Sequence, residues 1–200
     1  MRLIYPVAMG LALLLTACGS RHVRPTGASL PKEDRYIAMN VFINTNDFVS
    51  VDQARMLRYL RESLEQSGRF SRLDVGMLRW PYTLQIKFEW SKPNIAGEFA
   101  LALGSAATLG IVPSPMTELQ SYSFEIVHGT EVVKAFDYKE TVKSSMSIFN
   151  MGKIEQDRMV SMDKVLARFF EELDASGVVP RLGDLDAERN RDAAAKSPTI

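Results

Sequence analysis

The stretch YTLQIKFEW, residues 82–90, decides the fold of this chain. Apolar and aromatic side chains alternate in it with polar ones, which is the period-two pattern of a β-strand with one buried and one solvent-facing side. A second alternating run at 119–127 continues through the turn sequence HGTE, 128–131, into a third run at 132–142. Two strands joined by so short a turn pair antiparallel, so the three runs predict a mostly antiparallel sheet.

Two segments repeat apolar residues with the period of an α-helix. The first, 50–67, begins with a sequence typical of a capping box and ends before Gly68. The second, 152–176, ends before Gly177. The apolar stripes expected to face the sheet are Ala54, Leu57, Leu60 and Leu64 on the first helix, and Met159, Met162, Leu166, Phe169 and Leu173 on the second.

Shorter strands are expected at 36–43 and 71–77. The sequence thus predicts an α+β fold, a mostly antiparallel sheet of about five strands with two main helices packed on one face. The predicted domain covers 35–178, and 179–200 is expected to be a flexible tail with no more than a helical turn. The layout resembles small periplasmic α/β domains such as the amino-terminal domain of TolB. It also resembles the lipoprotein that assists lipopolysaccharide delivery at the outer membrane. The resemblance concerns topology over roughly 36–176 and implies no functional residues.

Composition and charge argue against several classes of partner. The 200 residues include 24 basic and 24 acidic ones, so there is no basic excess to attract nucleic acid. Cys18 is the only cysteine, which leaves no intramolecular disulfide and no cysteine metal cluster. A chain of this length buries a core without either, and the domain is therefore expected to be held together by packing.

The first 17 residues have the parts of a secretory signal peptide. Arg2 supplies a positive charge, the apolar run after it is too short to cross a bilayer, and small residues precede Cys18. The sequence LTAC at 15–18 resembles the lipobox of bacterial lipoproteins. The resemblance implies cleavage before Cys18, diacylation of its sulfur and acylation of the new amino terminus by chains such as palmitate. Several acyl chains hold a protein durably at a membrane.

Location is inferred from the same region. Gly19, rather than aspartate, follows the cysteine. Similarity to the sorting rule of enteric lipoproteins then implies the periplasmic face of the outer membrane rather than the outer leaflet of the inner membrane. Residues 18–34 lack hydrophobic periodicity and are expected to tether the lipid to the domain. The expected partners are the membrane, through acyl chains on Cys18, and a periplasmic or outer-membrane protein.

The segment 99–117 contains no charged residue. Its apolar core, 99–113, is shorter than the roughly 20 residues that a membrane-spanning helix needs. Three interpretations stay open: a short buried helix and loop that complete the core, an exposed apolar flap that enters the membrane or meets a partner, and a transmembrane segment. The candidate contact residues are Phe99, Leu101, Leu103, Leu109, Ile111 and Val112.

Catalytic and metal-binding motifs are not recognisable in the sequence. An enzyme needs a nucleophile or a metal together with a base and an orienting partner. The two histidines are His22, in the tether, and His128, in the predicted turn, and neither has metal-ligand spacing to another ligand. We therefore expect no catalytic residue, no metal and no cofactor.

These observations predict a lipid-anchored, non-catalytic periplasmic lipoprotein that binds a protein or envelope component in cell-envelope assembly, transport or structure. Its contacts are expected in 99–116 and at an exposed sheet edge. One alternative is a carrier of an apolar ligand or lipid, and another is an envelope hydrolase with an unrecognised site. The carrier alternative predicts a cavity lined by Phe88, Trp90, Phe124 and Phe169.

Six arginines between residues 55 and 79 allow two interpretations. They form either a shallow basic surface for anionic lipid head groups or cell-wall carboxylates, or a solvated helix face with ion pairs. The spacing of Arg58 to Glu62 and of Arg61 to Glu65 is that of such pairs on one helix.

Overall fold

The computed structural model describes residues 30–45, 51–91, 103, 113–147 and 152–196. In these ranges five strands form one sheet, accompanied by three α-helices and a short 3-10 turn at Lys32–Asp34. The strands are β1 (Met39–Thr45), β2 (Leu73–Val75), β3 (Tyr82–Ser91), β4 (Ser114–His128) and β5 (Glu131–Met146). The helices are α1 (Val51–Gln66), α2 (Lys153–Ser176) and α3 (Leu182–Lys196).

The strand order in the sheet is β2-β1-β3-β4-β5. β1 pairs in parallel with β2 and with β3, and α1 carries the chain back from the end of β1 to the start of β2. β3 with β4 and β4 with β5 form the longer ladders, and both are antiparallel. The predicted α+β fold with a mostly antiparallel sheet is therefore confirmed, although the sequence pattern does not reveal the parallel pairing of β1.

The core lies between one face of the sheet and the helices α1 and α2. The alternation in β3 puts Phe88 into this core, where its side chain is fully buried. From α2, Phe169 stacks on Phe124 with ring centroids 4.4 Å apart, so helix and sheet interlock through aromatic contacts. The opposite face carries polar groups such as Lys87, whose Nζ lies 2.9 Å from a carboxylate oxygen of Glu125.

The start of β4 corrects the boundary predicted for the uncharged segment. Residues 114–117 belong to the sheet, whereas the prediction placed them in an insert. They pair with the end of β5, while the ladder to β3 stops at Ser91 and Leu119. This part of β4 has one neighbouring strand among the described residues. Pro115, which lacks a backbone N–H, is therefore tolerated there.

The predicted flexible tail, 179–200, is a second correction, because most of it forms α3. The helix docks on the 3-10 turn: the backbone N–H of Leu182 donates to the carbonyl oxygen of Arg35 at 2.9 Å. A Cβ added to Gly183 would lie 3.2 Å from the carbonyl oxygen of Glu33. Because α3 docks through backbone contacts, its sequence has no apolar stripe. Hydrophobic periodicity therefore predicted no more than one helical turn in this segment.

The two ends of the sheet receive different parts of the chain. At the end that we call the tether end, Tyr36 forms bridges with Phe70 and Arg181, and β4 turns into β5. At the opposite, far end, β1, β3 and β5 finish and β4 begins. The ten residues of β3 separate the two ends by about 30 Å. The chain between Ser91 and Ser114 therefore leaves and returns at the far end.

Candidate functional site

Most of the site residues predicted from sequence lie outside the described part of the chain. Cys18, the predicted lipidation site, precedes that part. Leu103 is described, and it is helical and 58% exposed. The three interpretations of the uncharged segment stay predictions, apart from the residues that join β4. The other predicted contact residues, all outside the described ranges, are Phe99, Leu101, Leu109, Ile111 and Val112.

The aromatic side chains that the carrier alternative places around a cavity pack into the core. Phe88, Phe124 and Phe169 are fully buried, and the last two stack on each other. The ring of Trp90 is covered by the guanidinium group of Arg158, whose central carbon lies 3.9 Å from the ring centroid. The rings of Phe124 and Phe169 are in direct contact, so no ligand fits between those two described side chains. The carrier alternative otherwise stays a prediction.

A buried ion pair joins the first turns of α2 to the beginning of β4. Arg158 Nε donates to Glu118 Oε2 at 2.8 Å and Nη2 to Oε1 at 2.7 Å, and both side chains are almost fully buried. Next to it on β4, Tyr122 donates to Gln120 Oε1 at 2.8 Å. Burial, followed by the negative charge of Glu140, raises the pKa of Tyr122 above its usual range. The arrangement fixes the helix on the sheet.

A second polar cluster lies at the tether end, around the carboxylate of Asp174 on α2. Arg69 Nη1 donates to Asp174 Oδ2 at 2.5 Å, Arg181 Nη2 donates to Oδ1 at 3.0 Å, and the hydroxyl of Tyr36 donates to Oδ1. Burial, and then the hydrogen bond to Asp174, raises the pKa of Tyr36 above its usual range. Three distant parts of the chain meet here, and Tyr36 among them closely follows the predicted tether.

The connection between β2 and β3, which we call the 75–81 loop, is held by a fully buried asparagine, Asn40. Asn40 Oδ1 accepts hydrogen bonds from the backbone N–H groups of Arg79 and Trp80, at 2.8 and 3.2 Å. Its Nδ2 donates to the carbonyl oxygens of Trp80 and Tyr82, at 2.8 and 3.2 Å. The loop is therefore fixed to β1 by side-chain hydrogen bonds.

Apolar side chains of the 75–81 loop project into solvent. Leu78 is 81% exposed and Met77 is 52% exposed. Beside them, Trp80 Nε1 donates to Asp74 Oδ2 at 2.9 Å, and Arg72 Nε donates to Oδ1 at 2.8 Å. The hydrogen bond from Arg72, opposed by partial desolvation, lowers the pKa of Asp74.

Strand β5 forms one edge of the sheet. In the described ranges it pairs with β4 alone, so no further strand covers its other side. Its first five residues, 131–135, are all exposed. Lys134, Lys139 and Lys143 alternate along it with Glu131, Asp137 and Glu140. The use of this edge as a contact surface stays a prediction.

The arginines between residues 55 and 79 do not form one continuous basic surface. The predicted ion pair between Arg61 and Glu65 is confirmed, with Nε 2.8 Å from the carboxylate. Carboxylates on several different elements hold four of the six: Arg55 by Glu155, Arg61 by Glu65, Arg69 by Asp174 and Arg72 by Asp74.

His128, predicted in the turn, is the last residue of β4, where its exposed ring stacks on that of Tyr82 with centroids 4.5 Å apart. Among the described residues, no three or more His, Cys, Asp and Glu side chains are placed to hold a metal ion. The helices in the same ranges are each too short or too polar to cross a membrane.

Sequence reasoning missed the 75–81 loop. It assigned Met77 to a strand at 71–77, whereas β2 ends at Val75. Gly76, which has a φ of 73°, and Pro81 mark the two ends of the loop and are the signals that could have located it. A single asparagine within an apolar strand, Asn40, is the corresponding signal for the residue that holds it.

No protein-family model matches the chain, and no curated protein sequence matches it either. It is similar to a Xanthomonas campestris protein of the DUF330 family, with a TM-score of 0.46 and 10% identity over 68% of this chain and 82% of that one. A minor lipoprotein from Acinetobacter baumannii has a TM-score of 0.41 and 10% identity over 73% and 98%. Rare lipoprotein B from Shewanella oneidensis has a TM-score of 0.35 and 11% identity over 68% and 98%. Such distant likenesses neither assign the chain to a family nor transfer a function to it.

Proposed function

We propose that this chain is a lipid-anchored, non-catalytic lipoprotein of the bacterial cell envelope that binds a protein partner in envelope assembly, transport or structure. The anchor consists of acyl chains on Cys18, at the periplasmic face of the outer membrane. The lipobox-like sequence LTAC at 15–18 supports the anchor. The edge strand β5 carries the binding role.

An edge strand of 16 residues is a natural site for strand addition. The backbone N–H and C=O groups on its free side provide affinity for an extended partner segment, and the side chains provide specificity. Lysines on an edge discourage indiscriminate pairing of sheets. Lys134, Lys139 and Lys143 alternate along the strand with Glu131, Asp137 and Glu140, so a partner segment with the complementary order of charges is favoured.

The anchor is tested by replacing Cys18 with serine in the full chain. We expect wild-type protein to incorporate labelled palmitate and to sediment with the outer membrane, and C18S to do neither. Membrane recovery of an unlabelled wild-type protein would contradict lipid anchoring, because it would require another means of attachment.

The binding surface is tested by photo-crosslinking in cells from a residue analogue placed at Ala135 or Lys139, both exposed on β5. Glu171, exposed on α2, is the matched control position. We expect discrete protein adducts from the two β5 positions and none from position 171. Adducts from Leu101 or Leu109 alone would move the binding site to the uncharged segment and contradict the role of β5.

A further inference from the structure

We propose that the 75–81 loop is a membrane-contact site. In this arrangement Met77 and Leu78 enter the boundary between head groups and acyl chains, and Arg72 and Arg79 meet the phosphate groups of anionic lipids. The inference rests on the proposed function, because the loop meets a bilayer only if the chain is anchored to one.

The first argument is that the exposure of the apolar side chains is built into the fold. Isolated exposed apolar residues are common on protein surfaces. Here two neighbours, Met77 and Leu78, project from a loop that the buried Asn40 holds through hydrogen bonds to the backbone directly after them, at Arg79 and Trp80. Gly76, at a φ of 73°, turns the chain away from β2 and into the projection. The loop therefore presents the apolar pair without having to rearrange.

The second argument is the chemistry beside the apolar pair. Arg79 is exposed, and Arg72 keeps more than half of its side chain exposed while it pairs with Asp74. Two cations and one carboxylate leave a local excess of positive charge, which favours an anionic surface. Trp80 is half-buried at the base of the loop, and tryptophan favours the membrane interface. The loop thus combines two exposed apolar side chains, two neighbouring arginines and a tryptophan. This combination fits a lipid surface better than a polar protein groove.

The third argument is the position of the loop relative to the anchor. β2 leads into the loop and runs beside the chain that enters the domain: Ser71 N–H donates to Tyr36 O at 2.8 Å and Met39 N–H donates to Arg72 O at 3.0 Å. Twelve residue steps separate Cys18 from Leu30, so the anchored lipid lies within about 40 Å of the start of the described chain. The loop thus lies at the tether end of the sheet, within reach of the bilayer when the chain is anchored.

The test uses full-length lipidated protein in vesicles of phosphatidylethanolamine with one quarter phosphatidylglycerol, some lipids carrying bromine on their acyl chains. Bromine quenches tryptophan fluorescence at contact range. The chain has only Trp80 and Trp90, so subtracting the signal of W80F isolates Trp80. We expect Trp80 to be quenched at least about twofold more in wild type than in the double variant M77D/L78D.

Val160, an exposed aliphatic residue on α2, supplies the matched control V160D, which we expect to behave as wild type. Equal quenching in wild type and M77D/L78D, or no quenching of Trp80 in wild type, would overturn the proposal. Protein adducts from a photo-crosslinker at position 78 without quenching would also overturn it, in favour of a protein occupant.

Thermal unfolding checks that M77D/L78D is folded, as expected for exposed positions. In a separate experiment, C18S is floated with the same vesicles. Because C18S lacks the lipidated cysteine but keeps the loop, this experiment distinguishes failure of the anchor from failure of the loop.

Discussion

Single residues hold this fold through a few buried polar contacts. Glu118 and Arg158 face each other between β4 and α2 in a geometry with two hydrogen bonds, and Trp90 covers the guanidinium group. Removing two charges from water is costly, and the pair compensates only while both partners are present. The stability contributed by each residue therefore depends on the other.

We expect E118L to lower the free energy of unfolding by about 3–5 kcal/mol, because it leaves the charge of Arg158 buried without its carboxylate. The double variant E118L/R158M should lose less than E118L alone, since no charge remains buried. Denaturant unfolding of wild type, both single variants and the double variant measures the coupling. A double variant whose loss equals the sum of the two single losses would show that the two side chains act independently.

At the scale of elements, glycines define where the helices end. α2 stops at Gly177, which has a φ of 60° in the left-handed region. α1 is followed by Gly68, with a φ of 65°. Both stops were predicted, because a helix terminus is set by local backbone preference.

The apolar stripe of α1 was predicted less well: Ala54 is exposed, whereas Met56 is buried. A stripe assembled at three-residue steps drifts by about 60° per step, so packing decided which side faces the core.

The two glycines that bound α2 give a matched pair of substitutions. No heavy atom lies within 4 Å of a Cβ added to Gly177 or to Gly152, so neither alanine would clash. We expect G177A to destabilise the protein by about 1–2 kcal/mol, because alanine is strained in the left-handed conformation. Gly152 has φ −76° and ψ −12°, which alanine adopts readily. G152A should therefore be neutral or stabilise by up to about 1 kcal/mol. Equal effects in thermal or denaturant unfolding would contradict this assignment.

At the scale of the whole molecule, the ionisation of buried tyrosine hydroxyls sets an upper pH limit to the stability of the fold. Tyr36, Tyr122 and Tyr138 all have pKa values raised above their ordinary value, in each case chiefly by burial. A raised folded-state pKa means that the unfolded chain ionises first as the pH increases. The stability associated with the neutral hydroxyls is therefore complete below pH 10.0 and is lost as the pH rises above it.

We expect the tyrosine contribution to the free energy of unfolding to be constant up to about pH 9 and to fall from about pH 10 upwards, the ordinary tyrosine pKa. Y122F should show a shallower fall than wild type, because one of the three ionisations is removed. If the free energy of unfolding of Y122F fell with pH as steeply as that of wild type, burial of the Tyr122 hydroxyl would be excluded as a cause of the alkaline loss of stability.

The sequence alone determined the α+β class, the alternating strand β3, the β4–β5 hairpin and the ends of both main helices, because each depends on residues that are neighbours in the chain. Contact at an exposed sheet edge stays a prediction. Only the tertiary structure decided the parallel pairing of β1, the docking of α3 and the projection of Met77 and Leu78. These depend on groups far apart in sequence, such as Asn40 beneath the 75–81 loop, and no local pattern encodes which distant backbone a side chain will meet.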